Sequence, residues 1–152
     1  VANTQAFCTS AKPELLSGIH ALGTTVIRAG TGADTIKGAL YLAAATVNAS
    51  TTVYSATNEV PNSGSYVAGG LAFTNATPPS SSGTTGFWTP SASWTTGSGF
   101  SATAFDAILV YNSSQANRAI SVHTFGSQTI VAGTFTLTMP TNDATNALLR
   151  IA

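Results

Sequence analysis

Apolar and polar positions along this chain alternate in short runs, separated by clusters of glycine, proline, serine and asparagine. Thr129–Met139 sets Phe135, Leu137 and Met139 against Thr134, Thr136 and Thr138, a period of two that predicts a strand with one buried face. Phe105–Tyr111 predicts a second strand, stopped by Asn112-Ser113-Ser114. Arg118–Phe125 predicts a third, with Ile120, Val122 and Thr124 on one face. Asp34–Thr46 contains the unbroken apolar run Ala39-Leu40-Tyr41-Leu42-Ala43, which suits a strand covered on both faces. Weaker candidates are Thr24–Ala29, Thr51–Ala56, Tyr66–Thr74 (interrupted at Gly69-Gly70) and Thr84–Trp94. Leu148–Ile151 reads as an edge strand, and Thr77–Gly83, with Pro78 and Pro79, as a loop.

One segment breaks the β pattern. Ala11–Ser17 predicts a two-turn helix, capped by Thr9 or Ser10 and ended by Gly18. Pro13 is tolerable only in the first turn, and Glu14 near the N-terminus suits the helix dipole. The expected architecture is therefore all-β, a single β-sandwich of jelly-roll or immunoglobulin-like type with one short N-terminal helix. Residues 1–20 would form an N-terminal arm and the helix, and residues 21–152 the sandwich domain. The Val1–Ser10 segment is polar and uncharged, suited to extend as an arm.

Composition sharpens this picture. Only 7% of the residues are charged, five basic and five acidic, whereas a typical soluble domain has about 25%. The hydrophobic share is 43%, and the polar share is dominated by 25 Thr and 17 Ser, so the chain has the means to fold. The basic residues Lys12, Arg28, Lys37, Arg118 and Arg150 are scattered, which argues against nucleic-acid binding and against docking on an anionic membrane. A surface with so few charges is weakly protected against self-association and suits a protein covered by neighbours. Cys8 is the single cysteine, so no internal disulfide is possible. With no charged segment leading into an apolar one at the start, folding in a reducing cytoplasm is the expectation.

Candidate chemistry is sparse. Nucleophilic catalysis needs a base beside its nucleophile and a third group to orient the base. The imidazoles are His20 and His123, and Cys8 and His20 flank the helix closely enough to approach one another. Cys8 fits better as a small buried hydrophobe, and His123 as a strand residue. Asn142-Asp143 in the Pro140–Asn146 turn offers weak cation binding at best, and no Cys/His spacing matches zinc. Phe87, Trp88, Trp94 and Phe100 would make a carbohydrate platform if exposed, but aromatics of β proteins usually serve the core. Asn48, Asn75 and Asn112 begin glycosylation-type triplets that chance explains in so Ser/Thr-rich a chain. The expectation is no catalytic residue, no cofactor and no metal.

Several motifs carry a family resemblance. Cys8-Thr-Ser-Ala-Lys-Pro-Glu-Leu-Leu-Ser-Gly-Ile-His20, Tyr54-Ser-Ala-Thr-Asn-Glu-Val60, Tyr66-Val-Ala-Gly-Gly70, Tyr111-Asn-Ser-Ser-Gln-Ala-Asn-Arg-Ala119 and Ala144-Thr-Asn-Ala-Leu-Leu-Arg-Ile151 resemble small virion structural proteins of tailed bacteriophages. Pro13 departs from that pattern, where an ordinary helix former would stand. The resemblance implies a virion component without enzymatic activity. The leading expectation is a capsid decoration (cement) protein on the head exterior, made in the bacterial cytoplasm. Its partners would be the major capsid protein and further copies of itself, with a homotrimer favoured because capsids offer three-fold positions. Alternatives are a head–tail, tail or head-fibre component, or a carbohydrate-binding β-sandwich module.

Overall fold

The computed structural model describes residues 2–23, 32–74 and 77–152, and their fold is all-β. The chain order is β1 (Ala6–Phe7), α1 (Ala11–Leu16), β2 (Ile36–Leu42), β3 (Leu71–Ala72), β4 (Ser80–Ser82), β5 (Thr85–Trp88), β6 (Ser93–Thr95), β7 (Phe100–Asn112), β8 (Arg118–Gly133), β9 (Thr136–Thr138) and β10 (Leu149–Ile151). Among the described residues, every pairing is antiparallel. The main sheet runs β1-β8-β7-β2-β3, a second runs β10-β5-β4, and β6 pairs with β9.

Both faces of the main sheet are covered, as the unbroken apolar run in β2 requires. One face carries large side chains, including Ile36, Leu40, Phe105, Ile108 and Val110, and meets Trp88, Trp94, Phe135 and Leu149 from the two smaller sheets. The opposite face carries smaller groups and tyrosines: Ala39, Tyr41, Ala107, Leu109, Tyr111, Ala119 and Val122. Cys8, Ala11, Ala45 and Val47 from the N-terminal segment, the helix and the loop after β2 close it. The result is sandwich-like, with a third layer of loop and helix.

The helix falls where expected, with Pro13 in its first turn, but Ser10 makes no side-chain capping bond. The Val1–Ser10 segment, expected as an extensible arm, lies stitched along the sheet as far as it is described. Ala6 and Phe7 pair with Val122 and Ser121, Asn3 donates to Leu42 O and Asp106 Oδ1, and Cys8 N–H donates to Ile120 O.

Several elements differ from expectation. Thr77–Gly83 is not all loop, because Ser80–Ser82 pairs with Thr85–Phe87 across a tight turn. Thr51–Ala56 forms no strand beyond a single bridge from Val53 to Arg118. Thr129–Met139 is divided: its first residues finish β8, and Thr136–Thr138 join β6 in another sheet. The Thr24–Ala29 candidate lies outside the described residues. Ile120 and Val122 do not share a face, because the β7–β8 register slips between Val110/Ser121 and Tyr111/Ala119. This bulge turns Ile120 toward the large-residue core and leaves Val122 on the other side.

Candidate functional site

Three polar constellations stand out, and two of them are fasteners. In the first, α1 brings Glu14 toward the β7–β8 turn. Arg118 Nη1 donates to Glu14 Oε1, and Glu14 Oε2 lies 2.9 Å from His20 Nε2. Asn112 Nδ2 donates to Asp34 Oδ2 at 2.7 Å, while Asn112 Oδ1 accepts from Ser114 N–H at 3.1 Å, which fixes the orientation of the amide. Asn112 Nδ2 therefore also faces His20 Nδ1, at 3.0 Å, so the ring accepts at Nδ1 and donates through Nε2 to Glu14. Ala21 N–H and Gln115 Nε2 also donate to Asp34. Both nitrogens of His20 are thus engaged with structural partners.

Cys8 is not among them. Its thiol is fully buried, approaches Asn48 O at 3.9 Å, and is pushed up to about 11 by burial and then by the charge of Glu14. A protonated, enclosed thiol is a poor nucleophile. The Cys8–His20 approach considered from sequence is not assembled.

The second constellation gathers all four tyrosines of the protein around Glu59. Tyr54 Oη donates to Glu59 Oε2 at 2.6 Å, and Tyr66 Oη and Gly69 N–H each donate to Oε1 at 2.8 Å. Tyr66 Oη in turn accepts from Leu40 N–H at 2.9 Å, Tyr41 donates to Ser55 O, and Tyr111 donates to Gly69 O. Tyr54 stacks on Tyr111 with centroids 4.9 Å apart. This cluster pins the long connection between β2 and β3 to the sheet. In the sequence Glu59 stood out only as part of the Tyr54–Val60 motif, and no local signal marks a carboxylate whose partners lie across strands.

The third constellation borders open space. Ser121 and His123 sit two residues apart on β8 and so share a face, with Ser121 Oγ 2.9 Å from His123 Nε2. They line a cleft of about 620 Å³ between the main sheet and the segment around β9 and β10, together with Phe7, Phe125, Met139 and Arg150. Burial pushes the His123 imidazole down to about 4, so it is neutral at pH 7. A hydroxyl beside a neutral imidazole is the beginning of a nucleophile–base pair. Orientation is lacking, since His123 Nδ1 has no hydrogen-bond partner and the cleft has no carboxylate among the described residues. Ser121 is also only 1% exposed. The i, i+2 spacing on a predicted strand could have flagged the pair, which the sequence reading missed.

The remaining candidates take structural roles. Trp88 and Trp94 are buried, and their indole N–H groups donate inward to Thr77 O and Leu71 O. Phe100 is fully buried, so these rings form no exposed carbohydrate platform. Asp143 accepts from Thr145 N–H, Asn146 N–H and Asn146 Nδ2, a closed Asx turn that holds its carboxyl below the usual range. No group of three or more His, Cys, Asp or Glu suited to a metal occurs among the described residues. Of the glycosylation-type positions, Asn112 is fully buried with its amide engaged, and Asn75 lies outside the described residues. No helix among the described residues is long and apolar enough to cross a membrane. Comparison with protein-family models, with curated proteins and with solved structures finds no match.

Proposed function

We propose that this chain is a structural subunit of a bacteriophage virion, a decoration protein that binds the outside of the head and clamps adjacent major capsid subunits. One observation carries the assembly part of this reading: the fate of the charges. Three of the five acidic side chains, Glu14, Asp34 and Glu59, are withdrawn into the interior and consumed by fastening bonds. From Ala119 through Asn142, which takes in β9 and all of β8 after its first residue Arg118, the chain carries no Asp, Glu, Lys or Arg. The surface is thus poorer in charge than the composition alone implies, which fits a molecule covered by like neighbours. The virion part rests on the resemblance of the motifs from Cys8 to Ile151. The same withdrawal of ionisable groups into fasteners supports a non-enzymatic role.

The test is addition of the purified protein to expanded heads that lack it. Co-sedimentation with the heads and a rise of several degrees in their melting temperature are expected. Failure to bind, or density for the protein located on the tail instead of the head, overturns the proposal.

A further inference from the structure

The cleft lined by Ser121 and His123 measures about 620 Å³, within the size range of small-molecule sites. Its walls divide by chemistry. Phe7, Phe125, Leu137 and Met139 supply an apolar side, and Arg150 of β10 is the one charged residue of the described lining. No acidic side chain lines the cleft, and Arg150 makes no ion pair among the described residues. Its charge reaches Asp143, but as the least of the influences that lower that carboxyl. Ser121 and His123 add a proton to spare. A hydroxyl and a neutral imidazole hold two polar protons between them, and their mutual bond at 2.9 Å uses one. The other stays available, on Ser121 Oγ or on His123 Nδ1 according to the tautomer, since neither side chain makes a further hydrogen bond among the described residues. His123 Nδ1 is also not sealed away from solvent.

We propose that this cleft binds a small organic anion, an apolar body carrying one carboxylate, with the carboxylate at Arg150 and the body against Phe7, Phe125, Leu137 and Met139. The ligand class follows from the lining. A guanidinium with no carboxylate beside it in the cleft favours an anion, and its planar fork matches a carboxylate. The apolar wall favours a body that gains by leaving water. The Ser121–His123 pair offers one more donor to an oxygen of the ligand. A cationic ligand meets Arg150 with no acidic group to offset it. The cleft lies within one chain, so its occupancy is measured on free protein and does not depend on the capsid reading.

The probe is hydrocinnamate, titrated into the purified protein by calorimetry, with hydrocinnamamide as the same body without the charge. Saturable hydrocinnamate binding at concentrations up to about ten millimolar is expected, in keeping with the efficiency of small ligands. The amide is expected to bind about tenfold more weakly, for want of the charge-assisted contact. Arg150 is exposed, so Arg150→Gln is expected to keep its circular dichroism spectrum and to lose the same factor for hydrocinnamate alone. The wild-type comparison of acid with amide stands by itself should that variant misfold. Location is read from backbone amide shifts. Phe125, Leu137 and Met139 report the cleft, whereas Leu15, Leu22 and Phe87 report an uncharged groove of about 380 Å³ between α1 and the sheet β10-β5-β4. Absence of saturable binding overturns the proposal, as does equal affinity for acid and amide. Undiminished binding by folded Arg150→Gln, or shifts confined to the uncharged groove, overturns it as well.

Discussion

Glu59 shows how a single residue can hold a long loop to a sheet. Its carboxylate is the shared acceptor for two hydroxyls and an amide in a buried site, so removing it strands all three donors. Glu59→Ala is expected to lower stability by about 3 kcal/mol or more, measured by urea denaturation, whereas Tyr54→Phe, which removes one donor at the edge of the cluster, costs about 1–2 kcal/mol. His123 makes a second residue-scale prediction, this time in pH. Its folded value lies near 4 and its ordinary value near 6.5. The unfolded chain therefore binds a proton that the native state refuses, and this contribution to stability is present above pH 6.5 and lost as the pH falls toward 4. Denaturation midpoints of wild type and His123→Asn are expected to converge on the acid side relative to pH 7. A parallel pair of curves contradicts it. Neither residue was legible in advance. A lone Glu in a connection between strands and a lone His in a strand acquire their environments from partners across the fold, and only the i, i+2 relation of Ser121 to His123 was local.

At the scale of elements, legibility followed the strength of the local pattern. The alternation Phe135/Leu137/Met139 against its threonines survives as buried or half-buried against exposed positions even though the segment changes sheet partway. The continuous apolar run in β2 correctly implied cover on both sides. Ile120 and Val122 misled because a bulge breaks the period of two, and nothing in their spelling announces where the slip falls. Ser80–Ser82 was invisible for another reason: serine has little strand preference, and the segment is a strand because β5 lies beside it. Close approach between elements yields a prediction here. Gly70 has φ +72°, and a Cβ there would collide with the Gly38 carbonyl of β2. Gly70→Ala is expected to destabilise by about 2 kcal/mol or more, through both backbone strain and displacement of β3 from β2, as read by thermal melting. Phe105→Ala, at the crossing of several aromatic rings on β7, is expected to cost about 3–5 kcal/mol in the same assay.

For the whole molecule, the low charge has a direct experimental face. Contacts built from apolar and backbone groups are little screened by salt, so head binding and self-association are expected to persist at high ionic strength; sharp release by salt would mean that the few surface charges carry the contact. The tyrosine cluster has a different consequence, optical in kind. Burial is the largest cause that pushes all four phenols up; with the Glu59 charge behind it Tyr111 reaches about 12, and the other three, also raised by Glu59, lie higher still. In an unfolded chain the phenols ionise near 10, so the stability they contribute is present below that pH and drains away above it. Phenolate absorbance at alkaline pH will therefore rise in one step with the collapse of the circular dichroism signal. A gradual rise near pH 10 in a still-folded protein speaks against the cluster. With all its tyrosines in one lock, the protein carries a built-in chromophore for its own unfolding, readable without any added label.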